Sequence, residues 1–138
     1  MSPGAAGTAG APPDISGWVL DTGALLAYAN DDLYLQSVVR SCRRRGRTLL
    51  VSGLSLREAL HARPGSEQLA ELLDDAGTLL AEPEHHDVAA LREPIRLADG
   101  DITAAHVAWL AGERGWPVLS DRPRQLCGTD RTLLVEPV

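Results

Sequence analysis

Short apolar segments alternate with longer amphipathic segments along most of the chain. Residues 18–20 form an apolar run, and the good helix formers at residues 24–29 follow it almost directly. Residues 32–45 place leucines, valines and a cysteine on one face of a second predicted helix. The same alternation continues, with predicted strands at 48–51, 78–81, 117–119 and 132–135 and predicted helices at 55–61, 67–75, 86–97, 101–114 and 123–127.

This alternation predicts the fold class. Short apolar strands separated by helices are typical of a parallel sheet that helices cover on both faces. We therefore expect a three-layer α/β/α domain with a central parallel sheet of four to five short strands. In such a sheet, ligands bind beyond the carboxyl ends of the strands.

The first residues differ in composition from the rest of the chain. Residues 1–15 are rich in Gly, Ala and Pro and contain neither a basic residue nor an apolar stretch, so we expect a flexible leader rather than a signal peptide. One domain is expected over residues 16–138. No apolar run reaches the roughly 18 residues of a membrane span. Cys42 and Cys127 lie outside any metal-binding motif and are expected to be free thiols in a reducing cytoplasm.

The charged residues exclude several kinds of chemistry. All 13 basic residues are arginines, and the net charge is -6. Without lysine the chain has neither a P-loop nor a Schiff-base site, and a small phosphatase is disfavoured because a D-x-D-x-T motif is also missing. The negative charge and the lack of Phe argue against broad, nonspecific nucleic-acid binding, but they allow an enzyme with a local acidic pocket.

Four acidic residues fall where the predicted sheet would bind a ligand. Asp21 ends the first strand, Glu58 lies on the helix after the second strand, Asp101 opens a helix, and Asp121 follows the fourth strand. Carboxylates crowded together repel one another unless a cation neutralises them. Oxygen ligands suit Mg²⁺ or Mn²⁺, which lower the pKa of a bound water and clamp a phosphodiester.

Each acid also has a purely structural interpretation. Asp21, Asp101 and Asp121 are good helix caps. Glu58 fits a capping box that begins at Ser55, and for Glu58 both interpretations remain open. The shared position of all four at one end of the sheet favours a site, since independent caps need not gather there.

Four segments containing these acids resemble sequences of PIN domains, the fold of VapC-type toxin ribonucleases. The resemblance lies in their order and spacing and spans residues 18–135. The segments are VLDTGALLA at 19–27, VSGLSLREA at 51–59, DITAAHVA at 101–108 and GWPVLSD at 115–121.

The resemblance implies a hydrolase, a Mg²⁺- or Mn²⁺-dependent endoribonuclease that cleaves RNA with metal-activated water. It implies Asp21, Glu58 and Asp101 as metal ligands, with Asp121 assisting, and Thr22 and Ser120 as supporting hydroxyls. It also implies a cytoplasmic homodimer, a small antitoxin protein as partner, and no membrane association.

One departure from the family pattern bears on activity. Arg122 stands where the family usually has its fourth acid, two residues after Ser120. Either Asp121 replaces that acid from one position earlier, or the site has three acids, or Arg122 contacts a phosphate or acts as a surrogate cation. The alternative function is a catalytically silent PIN-like module that binds a partner protein or RNA.

The remaining candidates are weaker. Arg43, Arg44 and Arg45 belong to a basic segment that is either a solvated helix end or a phosphate track for RNA. His61, His85 and His86 are expected at the surface. His106 is expected to serve packing or an interface, and Trp109 either the core or a partner surface.

Overall fold

The computed structural model describes residues 16–138, so the leader expected at 1–15 lies outside the described residues. The chain alternates strands and helices, as predicted. The strands are β1 (Gly17–Leu20), β2 (Thr48–Ser52), β3 (Thr78–Ala81), β4 (Val118–Ser120) and β5 (Val135–Pro137). The helices are α1 (Thr22–Ala29), α2 (Leu33–Arg45), α3 (Gly53–Ala62), α4 (Glu67–Asp74), α5 (Val88–Leu97), α6 (Ile102–Arg114) and α7 (Pro123–Thr129), with a 3₁₀ turn at His85–Asp87.

The five strands form one parallel sheet with the order β3-β2-β1-β4-β5. In the register of β1 with its neighbours, Leu20 lies opposite Val51 of β2 and Leu119 of β4. The carboxyl ends of β1, β2 and β4 therefore lie together at one edge of the sheet, and the residues that follow them start from that edge.

Helices cover both faces, which confirms the predicted three-layer α/β/α architecture. Because side chains alternate across a strand, Leu20 packs with α1 to α4 on one face and Val19 packs with α6 and α7 on the other. Both side chains are fully buried. The sheet is thus a rigid base for the loops at its carboxyl edge.

Most element boundaries lie within two residues of the predicted ones. Gly46 and Gly115, with φ of 65° and 68°, end α2 and α6 in the left-handed conformation that glycine adopts without strain. Several predicted boundaries were wrong in detail. Among them, the last strand begins at Val135 rather than Thr132, α3 begins at Gly53 rather than Ser55, and the helix predicted at 86–97 starts with a 3₁₀ turn.

Two expectations from composition can be compared with the structure. Cys42 is buried, Cys127 is half-buried, and both are free thiols, as predicted. Between residues 16 and 138, none of the helices has the length and apolar character needed to cross a bilayer.

Candidate functional site

The four predicted acids line one cavity of about 80 Å³. The cavity lies at the carboxyl edge of the sheet, between α1, α3, α6 and the start of α7. Each acid comes from a different segment of the chain, and the parallel topology brings those segments to a common edge. The residues that line the cavity include Asp21, Thr22, Glu58, Asp101, Thr103, Asp121, Arg122 and Gln125.

Asp21 both caps a helix and faces the cavity. Its Oδ1 accepts a hydrogen bond from the Ala24 amide at 3.0 Å, which caps α1. Its Oδ2 accepts from the hydroxyl of Ser120, at the end of the adjacent strand β4. The residue is only 8% exposed, and this burial raises the pKa of Asp21 although both hydrogen bonds oppose the shift. The buried carboxylate therefore favours a partner that offsets its negative charge.

Glu58 is held by two hydroxyl groups from other helices. Its Oε1 accepts from Thr22 Oγ1 at 2.9 Å, and its Oε2 accepts from Thr103 Oγ1 at 2.6 Å. The capping-box interpretation is wrong, because Ser52 caps α3 and Ser55 lies inside that helix. Glu58 is thus oriented by the residues around the cavity rather than by its own helix.

Asp101 is the N-cap of α6. Its Oδ1 accepts from the Ala104 amide at 3.0 Å, which satisfies a free donor of the first turn. Its Oδ2 accepts from Gln125 Nε2 at 3.0 Å and lies 3.6 Å from Arg122 Nη1. The second oxygen of Asp101 is therefore shared between two side chains of the α7 segment.

Asp121 is exposed at the rim of the cavity. Its carboxylate packs directly over Gly23, where an added Cβ would come within 2.2 Å of it. The cap interpretation of Asp121 is wrong, because Arg122 is the N-cap of α7 and makes no side-chain cap hydrogen bond. Pro123 begins the helix as predicted. Arg122 also lines the cavity, so a carboxylate and a guanidinium group lie side by side at this rim.

The chemistry of the donor set can be compared with the metal that the sequence resemblance implies. Oxygen atoms of carboxylates and hydroxyls are the ligands of Mg²⁺ and Mn²⁺, and four carboxylates line the cavity. Within residues 16–138, however, no three acidic, histidine or cysteine side chains form a group that is already arranged around one ion. The donor types fit such a cation, and the oxygens of Glu58 and Asp101 each keep a lone pair beside their present hydrogen bonds.

Sequence reasoning missed two residues of this cavity. Thr103 holds Glu58, and Gln125 holds Asp101. Thr103 carried a weak signal, since it lies two residues after Asp101 in the first turn of α6. Gln125 carried no signal in the sequence, because its approach to Asp101 depends on how α7 packs against α6.

A buried polar pair joins the end of β2 to α6. The hydroxyl of Ser52 and Nδ1 of His106 are 2.7 Å apart. His106 is fully buried, its ring stacks on Trp109, and burial lowers its pKa. Of the two roles predicted for His106, packing or an interface, these contacts support packing.

Other singled-out residues lie away from the cavity. Arg43, Arg44 and Arg45 end α2, just before β2 begins, and therefore lie toward the opposite edge of the sheet. Arg43 forms an ion pair with Asp75 at 2.7 Å. Trp109 is partly buried in the core on the α6 face, and the three remaining histidines are exposed, as predicted: His61, His85 and His86.

Comparison with solved structures places this architecture among known folds. The crystal structure of VapBC2 from Rickettsia felis, bound to a DNA fragment from their promoter, is similar with a TM-score of 0.59 and 14% sequence identity, over 88% of this chain and 98% of that chain. The crystal structure of PAE2754 from Pyrobaculum aerophilum is similar with a TM-score of 0.56 and 18% identity, over 88% of this chain and 91% of that chain.

Sequence comparison gives no further relatives. No protein-family model matches the sequence, and no curated protein matches it significantly. At these identities the structural similarity shows the fold alone. The chain therefore has a PIN-domain fold of the VapC-like type.

Proposed function

We propose that this protein is a metal-dependent endoribonuclease that resembles VapC toxins. One observation carries the proposal: carboxylates from four separate segments line a single cavity at the carboxyl edge of a PIN-type sheet. Only two of the four, Asp21 and Asp101, are helix caps, so capping alone does not account for the carboxylates of Glu58 and Asp121 at this cavity. Asp21 and Asp101 each use Oδ1 as a cap, whereas their Oδ2 atoms accept hydrogen bonds from Ser120 and Gln125.

The residues around the cavity would serve either as metal ligands or as hydrogen-bond partners of those ligands. Asp21, Glu58 and Asp101 would hold Mg²⁺ or Mn²⁺, with Asp121 as a fourth carboxylate at the rim. Such a cation supplies a bound water of lowered pKa and neutralises charge on a phosphodiester. The hydroxyls of Thr22 and Thr103 fix both oxygens of Glu58, and Ser120 fixes Asp21, which lowers the cost of ordering these carboxylates.

The partners belong to the same proposal. One similar structure is that of VapBC2 with a DNA fragment from their promoter. On that similarity we extend the proposal to a small antitoxin protein that binds this chain. The homodimeric assembly, RNA as substrate and the cytoplasmic location are proposed on the sequence resemblance to PIN domains.

A second function is favoured by a specific observation. Arg122 occupies the place of an expected acid and lies 3.6 Å from Asp101 Oδ2, so a permanent positive charge already neutralises part of the cavity. On this alternative the protein is a catalytically silent module that binds a partner protein or RNA.

Cleavage of a randomised single-stranded RNA pool tests both functions. We expect the native protein to cut RNA with Mn²⁺ or Mg²⁺ and to stop when EDTA is added. Glu58→Gln should reduce cleavage by about 100-fold or more, which exceeds the usual cost of losing a residue that only supports a ligand. Glu113→Gln makes the same change at an exposed position of α6 outside the cavity and should cleave like the native protein.

The other outcomes separate the alternatives. Cleavage that survives Glu58→Gln would contradict the nuclease assignment. A native protein without activity that gains Mn²⁺-dependent cleavage on Arg122→Asp would support the silent module, since the substitution supplies the expected acid.

A further inference from the structure

Arg122 combines a fixed backbone with a solvent-exposed side chain. Its amide donates to Ser120 Oγ at 2.8 Å, and Ser120 is fully buried at the end of β4. This bond fixes residue 122 at the start of α7. The side chain, in contrast, is 61% exposed. The guanidinium is therefore tethered beside the cavity without being packed in place.

The contact between Arg122 and Asp101 is loose. Arg122 Nη1 lies 3.6 Å from Asp101 Oδ2, beyond the usual length of a hydrogen bond, whereas Gln125 Nε2 donates to the same oxygen at 3.0 Å. Exposed ion pairs of this kind add little to stability, because water screens the charges and the side chains lose entropy. Replacing Arg122 as the partner of Asp101 therefore costs little.

The charge of Arg122 opposes that of an incoming cation. Among the described residues that line the cavity, Arg122 is the one with a permanent positive charge. A divalent ion at the carboxylates would repel it, whereas the neutral amide of Gln125 carries no such penalty. The planar guanidinium is at the same time well suited to bind a phosphate group through two hydrogen bonds.

We propose that Arg122 is an exchangeable counter-ion that neutralises Asp101, leaves it when a divalent cation binds, and then contacts a phosphate of the RNA backbone. This inference rests on the proposed function and adds a phosphate-binding residue to it. It predicts opposite effects of one substitution on two ligands, since the positive charge hinders the cation and attracts RNA.

Three variants test the exchange. Arg122→Gln removes the charge, Arg122→Lys keeps the charge but loses the planar fork, and Arg124→Gln removes a charge from an exposed neighbour on the same helix. Calorimetry gives the Kd for Mn²⁺ without RNA. Fluorescence anisotropy at 4 °C, recorded before turnover, gives the Kd for a short single-stranded RNA at saturating Mn²⁺.

We expect Arg122→Gln to bind Mn²⁺ about fivefold more tightly, since the native protein must first give up an exposed ion pair whose loss changes an equilibrium by at most roughly that factor. The same variant should bind RNA several-fold more weakly. Arg122→Lys should bind Mn²⁺ like the native protein and RNA more weakly, and Arg124→Gln should change neither Kd by more than about twofold.

The outcomes distinguish this inference from the proposed function. If the native protein binds Mn²⁺ and Arg122→Gln binds it with the same Kd, the proposed exchange is wrong and the nuclease proposal still stands. Tighter Mn²⁺ binding without weaker RNA binding also overturns it, because the phosphate contact is then missing. Mn²⁺ binding by neither the native protein nor Arg122→Gln overturns both proposals.

Discussion

Asp21 is the residue where stability and the proposed function oppose each other. Its carboxylate is 8% exposed, and burial raises its pKa because a charged group is poorly solvated there. Ser120 and Ala24 compensate in part by donating hydrogen bonds. A residue kept only as a helix cap would gain nothing from this burial, since asparagine caps a helix as well as aspartate does.

Asp21→Asn should therefore stabilise the metal-free protein at neutral pH. The folded-state pKa of Asp21 lies above 3.8, so the stability this group contributes is present below pH 3.8 and is lost as the pH rises through the folded-state pKa. Urea unfolding at pH 7 in EDTA should show that the free energy of unfolding of Asp21→Asn exceeds that of the native protein by about 0.5–2 kcal/mol, the usual range for stabilising substitutions.

The pH dependence of the difference in unfolding free energy tests this explanation most directly. The difference between Asp21→Asn and the native protein should shrink steadily as the pH is lowered from 7 toward the acid range. Asp74→Asn, a matched change at an exposed position outside the cavity, should give a smaller difference. An Asp21→Asn protein less stable than the native one at pH 7 would contradict the account of a desolvated carboxylate.

At the scale of elements, the close approach of β1 to its neighbours depends on Gly17. A Cβ at this position would come within 2.5 Å of the Thr48 carbonyl oxygen and within 2.7 Å of the Trp116 ring. Gly17 pairs with Thr48 in the register of β1 and β2. Moving the two strands apart at this point would therefore disrupt their pairing. The glycine thus helps to fix the position of Asp21 at the other end of β1.

Gly17→Ala should lower the free energy of unfolding by about 1–3 kcal/mol, the usual cost of overpacking a well-filled site. Gly128→Ala provides the matched control. A Cβ there meets nothing within 4 Å, and Gly128 lies in α7, where alanine is the better helix former, so this variant should gain about 0.5–1 kcal/mol. Equal urea midpoints for Gly17→Ala and the native protein would refute the tight approach of the strands.

The sequence predicts elements well where local signals decide them and less well where packing decides. The helix formers, caps and terminal glycines of α2 and α6 mark the ends of these helices in the sequence, as Asp32 and Gly46 do for α2. The last strand was placed three residues early, because Thr132 binds the Asp130 carboxylate in a turn and the strand begins only where Val135 pairs with Val118. That pairing is a tertiary contact without a local signature.

At the scale of the whole molecule, topology assembles the cavity. The alternation of strands and helices suffices to place Asp21, Glu58 and Asp101 at one edge of a parallel sheet. It does not suffice to find Thr103 and Gln125, whose roles depend on hydrogen bonds between separate helices. Nor does it show that Arg122 turns toward Asp101. The acids were thus predictable from sequence, whereas their hydrogen-bond partners required the structure.

Calorimetry of Mn²⁺ binding tests most directly whether this cavity is a metal site, and it requires no knowledge of the RNA target. We predict that the native protein and Asp74→Asn bind Mn²⁺ with similar affinity and that Asp21→Asn, although stably folded, loses binding. Native protein that binds no Mn²⁺, or Asp21→Asn that binds it as well as the native protein does, would contradict the metal site.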